Sequence, residues 1–180
     1  MQCVILAGGL GTRLAPLTDA CPKYMVPIAG RPFAHWQLEN LASQGITEAV
    51  LCIGHLGEQI RSLGDHFAGI RLSYSEEQEP LGHMDAVRNA LPLLRPWFFL
   101  TYSDSYLDVN LRQMAYHFHV ASEPSRLMAT WNGVDFGVSI FRRSVFEHSV
   151  FPIHHAWDEI GSPEGFAKLE QSLKQKEWDI

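Results

Sequence analysis

The sequence predicts an α/β fold in which a mostly parallel β-sheet carries helices on both faces. Short apolar runs with the length of buried strands alternate along the chain with segments of helical periodicity. Such alternation favours parallel pairing, because each helix returns the chain across the sheet before the next strand begins. We expect a single domain over residues 1–180, since a chain of this length with 46% hydrophobic residues can bury one core.

In the first half of the chain, three apolar runs predict strands: QCVIL (2–6), EAVLCIG (48–54) and IRLSYS (70–75). Helices are predicted over residues 32–44, 57–66 and 82–94. The first helix starts with Pro32, which suits a first helical turn, and Gly45 ends it. In the third helix the apolar residues recur on one side, which predicts a buried face: Met84, Val87, Leu91 and Leu94.

The second half continues the alternation. WFFLTY (97–102) predicts a fourth strand, and a polar segment lies just past its end. A helix is expected near residues 110–120, followed by strands at RLMATW (126–131) and FGVSIF (136–141). Ser162 and Pro163 supply an N-cap and a first-turn proline for a final helix.

Ligands of parallel α/β sheets bind beyond the carboxyl ends of the strands. Three features of this sequence fall at that edge of the predicted sheet: the glycine-rich loop after the first strand, the segment after residue 75, and Asp104 after the fourth strand. We therefore expect the functional site to be assembled from these three segments.

The glycine-rich loop has the composition of a phosphate site. Gly8, Gly9 and Gly11 let the backbone turn sharply and bring its amide groups close to an anion. Arg13 adds a forked set of donors, and Lys23 adds a compact positive charge. Two other phosphate motifs fit poorly, because a dinucleotide fingerprint needs a glycine where Leu14 stands and a P-loop needs a lysine directly after its last glycine.

Composition excludes several other classes of protein. The formal net charge of −6 argues against a general nucleic-acid binder, which would carry a basic face. No apolar run approaches the roughly 20 residues of a membrane helix, and the first residues lack the charged leader of a secretion signal. Three cysteines without metal-ligand spacing indicate reduced thiols. We expect a soluble cytoplasmic protein with no nucleic-acid or membrane partner.

The segment LAGGLGTRLAPLT…CPKYMVPIAGRP resembles the signature of the sugar-1-phosphate nucleotidylyltransferases, and the match spans more than twenty positions. The resemblance continues in EPLGHMDAVRNALPLL, FFLTYSDSYLDVNL, FGVSIFRRSVF and EIGSPEGFAKLE, over nearly the whole chain. The last segments look most like short bacterial guanylyltransferase-like members that act on mannose or heptose 1-phosphate. This resemblance implies a Rossmann-like fold of the nucleotide-diphospho-sugar transferase type.

The resemblance also implies a reaction and its residues. An oxygen of a sugar 1-phosphate attacks the α-phosphorus of a nucleoside triphosphate and releases pyrophosphate. Arg13 would neutralise the departing pyrophosphate, Lys23 would lie between the α-phosphate and the sugar phosphate, and Asp104 would coordinate Mg²⁺ together with Glu159. The implied nucleotide-binding residues are Leu6, Ala7, Gly8, Gly9, Gly11, Thr12, Glu77, Pro80 and Gly82. Relatives are often dimers or tetramers, so a homo-oligomer is left open.

The base is expected near EEQEPLG, where Gly82 allows close approach and Pro80 stiffens the segment. Glu77 would accept hydrogen bonds from a base N–H. Two donors would suit guanine, which favours GTP, but a single donor from uracil or thymine also fits. The choice of base therefore stays open at this point.

Departures from the family pattern lie mostly around the base and acceptor positions. The family's LGTxG is LGHMD here, so His83, Met84 and Asp85 replace small residues, and their bulk and charge should oppose triphosphate binding. Ser103 replaces a glycine before the metal aspartate, and the sugar-contacting segment with its Glu-Lys-Pro motif is missing. Two hypotheses follow: an active nucleotidylyltransferase with a compact acceptor site, or a weakened relative that serves as a nucleotide-binding or regulatory partner protein.

Overall fold

The computed structural model describes residues 1–79, 81–121, 125–132 and 134–147. Its strands are β1 (Gln2–Leu6), β2 (Pro27–Ile28), β3 (Arg31–Pro32), β4 (Glu48–Ile53), β5 (His66–Phe67), β6 (Ile70–Glu76), β7 (Trp97–Tyr102), β8 (Arg126–Trp131) and β9 (Val134–Arg142). Its α-helices are α1 (Phe33–Ser43), α2 (Gly57–Arg61), α3 (His83–Asn89), α4 (Leu111–Val120) and α5 (Ser144–Glu147). Met1–His148 form one compact unit.

The described strands form a seven-stranded sheet in the order β5-β6-β4-β1-β7-β9-β8, and β2 pairs with β3 in a separate hairpin. The four central strands β6, β4, β1 and β7 are parallel, whereas β5, β9 and β8 pair antiparallel with their neighbours. The carboxyl ends of β1 and β7 are therefore adjacent at one edge of the sheet. The predicted mostly parallel α/β fold is confirmed.

Side chains of β1 alternate between two apolar layers, as the period of two in a strand requires. Cys3 and Ile5 pack with buried residues of α1 and α4 on one face. Val4 and Leu6 pack with α3 and α5 on the other face. Every residue of β1 is buried, which explains why its sequence is apolar without the alternation of a half-exposed strand.

The predicted strands at 2–6, 48–54, 70–75 and 97–102 are found within one residue of those bounds. The predicted helix over 57–66 is too long, because the chain turns after Arg61 so that His66–Phe67 can pair with β6. The predicted helix over 82–94 ends at Asn89 and continues as a 3₁₀ turn at Leu91–Leu93. The final predicted helix lies outside the described residues, and the single-domain boundary at residue 180 stays a prediction.

Met84 does not lie on the buried face of α3, as its spacing predicted, but is 45% exposed. The helix begins only at His83, so Met84 stands in its first turn, where no neighbouring turn covers it. Val87 and Leu94 are buried as predicted.

Glu48 forms an ion-pair cluster at the start of β4, at the edge of the sheet opposite to the glycine-rich loop. Arg95 donates from Nε to Oε2 at 3.0 Å and from Nη2 to Oε1 at 2.7 Å, and Arg71 Nη2 donates to Oε1 at 2.8 Å. The hydrogen bonds from Arg95 lower the pKa of Glu48 to about 2; partial burial opposes this shift, and Arg71 adds to it. The cluster joins β4, β6 and the loop before β7.

Glu48→Gln is expected to lower the free energy of unfolding at pH 7 by about 1 kcal/mol, a modest value because both arginines are exposed to solvent. A carboxyl whose pKa is depressed by folding stabilises the protein above its unfolded pKa, near 4.5, and that stabilisation is lost as the pH falls through about 2. Urea unfolding of both proteins between pH 7 and pH 2.5 measures the difference. Stability differences that do not shrink over this range would contradict the assignment.

Candidate active site

A cleft of about 470 Å³ lies at the carboxyl ends of β1 and β7. Its wall is built from segments that are far apart in the sequence: residues 8–14, Lys23, Glu77, residues 82–83 and residues 102–104, with Leu6 and Ala86 at its base. The three segments predicted to meet at this edge of the sheet therefore do meet. The sheet topology explains this arrangement, because β7, β1, β4 and β6 are neighbouring parallel strands whose carboxyl ends lie at the same edge.

The glycine-rich loop presents unused backbone donors to the cleft. Ala7 N–H donates to Cys52 O at 2.8 Å and completes the strand pairing, but the next four amide groups, of residues 8–11, donate to no other described residue. Gly11 is held by two contacts to its carbonyl oxygen, from Leu14 N at 2.8 Å and from Thr18 Oγ1 at 3.0 Å. Consecutive amides with this freedom form an anion-binding concavity.

Gly11 is needed for the shape of this loop. It adopts a left-handed conformation with φ of 67°, and a Cβ atom at this position would lie 2.9 Å from Thr18 Cγ2 and 3.2 Å from Lys23 Cβ. The absence of a side chain therefore lets the loop pack closely against the segment that carries Lys23.

Gly11→Ala is expected to lower the free energy of unfolding by at least about 1–2 kcal/mol, the cost of a left-handed non-glycine residue, with the steric overlap in addition. Gly9→Ala is the matched control for stability, because its φ is not in the left-handed region and nothing lies within 4 Å of its Cβ position. Chemical denaturation of the two variants tests this. Equal stabilities for Gly11→Ala and Gly9→Ala would contradict the proposed packing.

Lys23 and Asp104 are joined in an ion pair across the cleft, between Nζ and Oδ2. Lys23 opens a 3₁₀ turn that is anchored by the buried side chain of Tyr24. Asp104 follows β7, where Ser103 N–H still donates to Leu6 O at 3.1 Å and keeps the chain beside β1. Residues 81 positions apart are thus placed against one another by the fold.

The Asp104 carboxyl is 41% exposed, and its pKa lies below the usual value. Partial burial acts to raise this pKa, but it is outweighed by the hydrogen bond and the charge of Lys23 and by a hydrogen bond from Ser105 Oγ at 3.3 Å. Asp104 is therefore a carboxylate at neutral pH, with oxygen atoms open to the cleft.

Arg13 lines the cleft on the outer side of the glycine-rich loop. Its side chain is exposed, and it forms no ion pair with another residue in the described ranges. An arginine held at the rim of a cleft without a carboxylate partner has its full charge available to an anionic ligand.

Glu77 forms the wall between the glycine-rich loop and the segment that leads to α3. Its N–H donates to Ile53 O at 2.8 Å, and its Oε2 accepts from Leu81 N at 3.1 Å. Its Oε1 lies 3.1 Å from the place where a Cβ atom on Gly8 would stand, so the absence of a side chain at Gly8 makes room for the carboxylate. Oε1 is thereby left next to the cleft as an acceptor.

Two aromatic rings complete the wall on the α3 side. His83 and Tyr102 lie with ring centroids 5.2 Å apart, and both line the cleft. Sequence reasoning treated His83 only as a departure from a pattern and missed Tyr102. The alternation Phe98, Leu100, Tyr102 along β7 is the signal that places Tyr102 on the α3 face.

Several predicted site residues lie elsewhere or outside the described residues. Ala7 stands behind the cleft rather than on its wall, because its amide belongs to the strand pairing and its side chain to the core. Asp85 does not line the cleft; its carboxylate is paired with Arg88 Nη1 at 2.6 Å. Of the three large residues in LGHMD, only His83 lies in this cleft. Pro80 and Glu159 lie outside the described residues.

The donor set at Asp104 suits a magnesium ion. Mg²⁺ is bound in proteins by one or two carboxylates, with substrate phosphates and water as its other ligands. In residues 1–79, 81–121, 125–132 and 134–147, no group of three or more histidine, cysteine, aspartate or glutamate side chains could hold a metal ion by itself. Asp104 and Glu77 are the two carboxylates among the described residues that line the cleft; Asp104, with oxygen atoms open to it, would need phosphate oxygens to complete the coordination.

No described helix has both the length and the apolar composition needed to cross a membrane. The three cysteines are free; Cys3 and Cys52 are buried, and Cys21 is partly exposed.

Comparison with known proteins gives a consistent set of relatives. Residues 2–135 match the model of the nucleotidyl transferase family. D-glycero-α-D-manno-heptose 1-phosphate guanylyltransferase of Campylobacter jejuni is 37% identical over 115 residues, which are 63% of this chain and 52% of that protein. N-acetylmuramate α-1-phosphate uridylyltransferase of Neisseria meningitidis is 40% identical over 112 residues, which are 59% of this chain and 48% of that protein.

The chain thus spans about half the length of these two curated relatives. Among solved structures, HddC from Yersinia pseudotuberculosis complexed with GMP-PN superposes with a TM-score of 0.69, at 20% sequence identity, over 96% of this chain and 99% of that one. At this identity the match shows the fold.

Proposed function

The chain belongs to the nucleotidyl transferase family, and on that premise we propose that it transfers a nucleotidyl group from a nucleoside triphosphate to a sugar 1-phosphate. The products are a nucleoside diphosphate sugar and pyrophosphate. The observation that carries the proposal is the meeting of the glycine-rich loop, with its unused amides, and the Lys23–Asp104 pair in one cleft. The reaction requires groups that bind phosphate oxygens, a cation that neutralises their charge and a carboxylate that can hold a metal ion. The loop amides, Lys23 and Asp104 would supply these three.

The attacking group needs little activation. A phosphate monoester has a second pKa of about 6, so an oxygen of the sugar 1-phosphate is already anionic at neutral pH. This oxygen forms a bond to the α-phosphorus, and the bond from that phosphorus to the bridging oxygen breaks as pyrophosphate leaves. Catalysis then rests on positioning and on neutralisation of charge, not on a protein nucleophile.

Each part of the cleft has a place in this reaction. The amides of residues 8–11 would hold the triphosphate, and Arg13, without a carboxylate partner in the described chain, would neutralise the departing pyrophosphate. Lys23 would bridge the α-phosphate and the sugar phosphate. Lys23 must leave Asp104 to do so, which is favourable when metal and phosphate replace the two partners of the ion pair.

We propose Mg²⁺ as the cofactor, with Asp104 as its protein ligand in the cleft; a role for Glu159 as a second ligand stays a prediction from the sequence. When bound, the ion neutralises charge on the phosphate oxygens and orients them. Asp104 supplies the carboxylate. Lys23 lowers the pKa of Asp104, which favours its ionised form in the metal-free protein.

Glu77 supports binding of the base at this wall of the cleft. Its Oε1 stands free beside Gly8, next to the cleft, and would accept hydrogen bonds from a base N–H. The name of the Campylobacter jejuni relative points to guanylyl transfer and that of the Neisseria meningitidis relative to uridylyl transfer. We propose GTP as the preferred nucleotide, and a cytoplasmic reaction in view of the free thiols.

The proposal is tested by a panel of nucleoside triphosphates and sugar 1-phosphates, with release of pyrophosphate as the readout. We expect magnesium-dependent release with at least one pairing. If a folded protein releases no pyrophosphate with any pairing in the panel, the proposal is contradicted. A thermal-shift screen with the same nucleotides would then test the binding-protein hypothesis, since a ligand at 100 times its dissociation constant stabilises by about 2.7 kcal/mol.

A further inference from the structure

Gln37 is a polar residue at the centre of the apolar face of α1. Its side chain is fully buried, at 0% exposure, in a stripe that also contains Ala34, Leu38 and Leu41. A polar side chain in such a place is costly unless its hydrogen bonds are made. The bonds that Gln37 makes therefore indicate why it is there.

Both hydrogen bonds of Gln37 go to the turn that carries Asp104. Nε2 donates to Tyr102 O at 2.8 Å and to Ser105 O at 2.7 Å. Ser105 N–H also donates to Tyr102 O at 3.3 Å, which closes the turn around Asp104. One amide group thus holds the backbone on both sides of Asp104.

The oxygen of the same side-chain amide makes no hydrogen bond to a described residue. Gln37 Oε1 is buried and has no hydrogen-bond partner in the part of the chain that the structure describes. An apolar side chain of the same size would bring no unpaired oxygen of its own into the core, but it would offer no donor to Tyr102 O and Ser105 O. The two donors to the turn are what distinguishes glutamine from such a residue.

The same helix is tied to the segment that carries Lys23. At the start of α1, Phe33 N–H donates to Val26 O at 3.0 Å, and the rings of Phe33 and Tyr24 lie 6.4 Å apart in an edge-to-face arrangement. Tyr24 directly follows Lys23 in the 3₁₀ turn. Helix α1 therefore sets the position of both partners of the ion pair.

We propose that Gln37 is a positioning residue for the metal site: through Tyr102 O and Ser105 O it holds the turn so that the Asp104 carboxylate stays beside the glycine-rich loop, where it would bind a metal–triphosphate complex. This inference rests on the proposed function. Residues that orient a metal ligand without touching the ion typically contribute roughly 10–100-fold to metal affinity or activity. Gln37 would act in this way through the backbone of the turn.

The test uses Gln37→Met, which keeps the length of the side chain and removes both donors. We expect the dissociation constant of Mn²⁺, measured by electron paramagnetic resonance with the α,β-methylene analogue of GTP, to rise roughly tenfold or more. The affinity for the metal-free analogue in the presence of EDTA, measured by calorimetry, is expected to stay unchanged. A merely structural defect would not separate these two affinities.

Asn40→Leu is the matched control. Asn40 lies one turn further along α1 and donates from Nδ2 to Leu107 O at 2.7 Å, in the same loop but beyond the turn around Asp104. We expect this variant to bind Mn²⁺ as the wild type does. An equal loss in both variants, or wild-type Mn²⁺ affinity in Gln37→Met, would overturn the inference.

Failure of the inference and failure of the proposed function are distinguishable. If the wild-type protein does not bind Mn²⁺ with the analogue and does not release pyrophosphate, the proposed function and the inference about Gln37 are both overturned. If Gln37→Met does not fold, Gln37→Ser takes its place, because a small side chain leaves room for water at the two carbonyl oxygens. If neither variant folds, Gln37 serves the stability of the fold and not the metal site, and the inference is overturned.

Discussion

Asp104→Asn is expected to reduce turnover by about 10²–10³-fold or more, the effect of removing one charged group that acts on the transition state. The amide keeps the size of the side chain but carries no charge. It is a poor ligand for Mg²⁺, and it no longer forms an ion pair with Lys23. Stability should change little, because the side chain is 41% exposed. The measurement is acceptor-dependent release of pyrophosphate, together with chemical denaturation to show that the variant is folded.

Asp108→Asn is the matched control for this variant. Asp108 is exposed, lies four residues further along the same loop, and forms no ion pair within the described chain. It should retain wild-type turnover. Near-normal turnover by Asp104→Asn would remove Asp104 from the metal site, and an equal loss in Asp108→Asn would point to the loop instead of the carboxylate.

Lys23→Met is expected to cost a comparable factor in turnover, about 10²–10³-fold, because charge on the α-phosphate and on the sugar phosphate would then lack its cation. Loss of Lys23 also removes the hydrogen bond and the charge that contribute most to lowering the pKa of Asp104, so that this pKa should rise. Activity at acidic pH should therefore fall more steeply in the variant than in the wild type. The measurement is a pH profile of turnover.

Lys23→Arg separates charge from geometry. Arginine keeps the positive charge, but its planar fork does not reproduce a compact ammonium group, so we expect partial activity, between the wild type and Lys23→Met. If Lys23→Met retains most of the turnover of the wild type, Lys23 serves only as the partner of Asp104 in the free protein.

Much of the fold was predictable because its strongest signals are local. The apolar run before Gly8 and the polar segment after Tyr102 mark the ends of β1 and β7, and parallel α/β topology then brings those ends together. Strand direction at the sheet edges was not predictable. The apolar runs of β8 and β9 indicate that these strands are buried, but they do not indicate which strands pair with them or in which direction. The antiparallel pairing of β9 with β7 and β8 is therefore visible only in the structure. β5 has only two residues, too few for any periodicity.

The candidate site divides in the same way. Gly11 and Lys23 were identified by the composition of the loop and Asp104 by its position after a strand, and the resemblance to a family signature implied the roles of Lys23 and Asp104. Their contacts depend on the fold, because a separation of 81 residues in the sequence does not predict that Lys23 pairs with Asp104. Gln37 was missed altogether. A polar residue inside the apolar stripe of a helix was the available signal, but its partners, Tyr102 and Ser105, are visible only once the turn is built.

In the proposed reaction, the cleft transfers a nucleotidyl group to a sugar 1-phosphate. The most direct test follows a radioactive α-phosphate. GTP, or the nucleotide that the panel identifies, is labelled at this phosphate and incubated with the protein, Mg²⁺ and the sugar 1-phosphate. We expect the label in a nucleoside diphosphate sugar, formed in equal amount with pyrophosphate and only when the acceptor is present. Label that stays in the triphosphate, or that appears in the monophosphate whether or not the acceptor is added, would contradict nucleotidyl transfer.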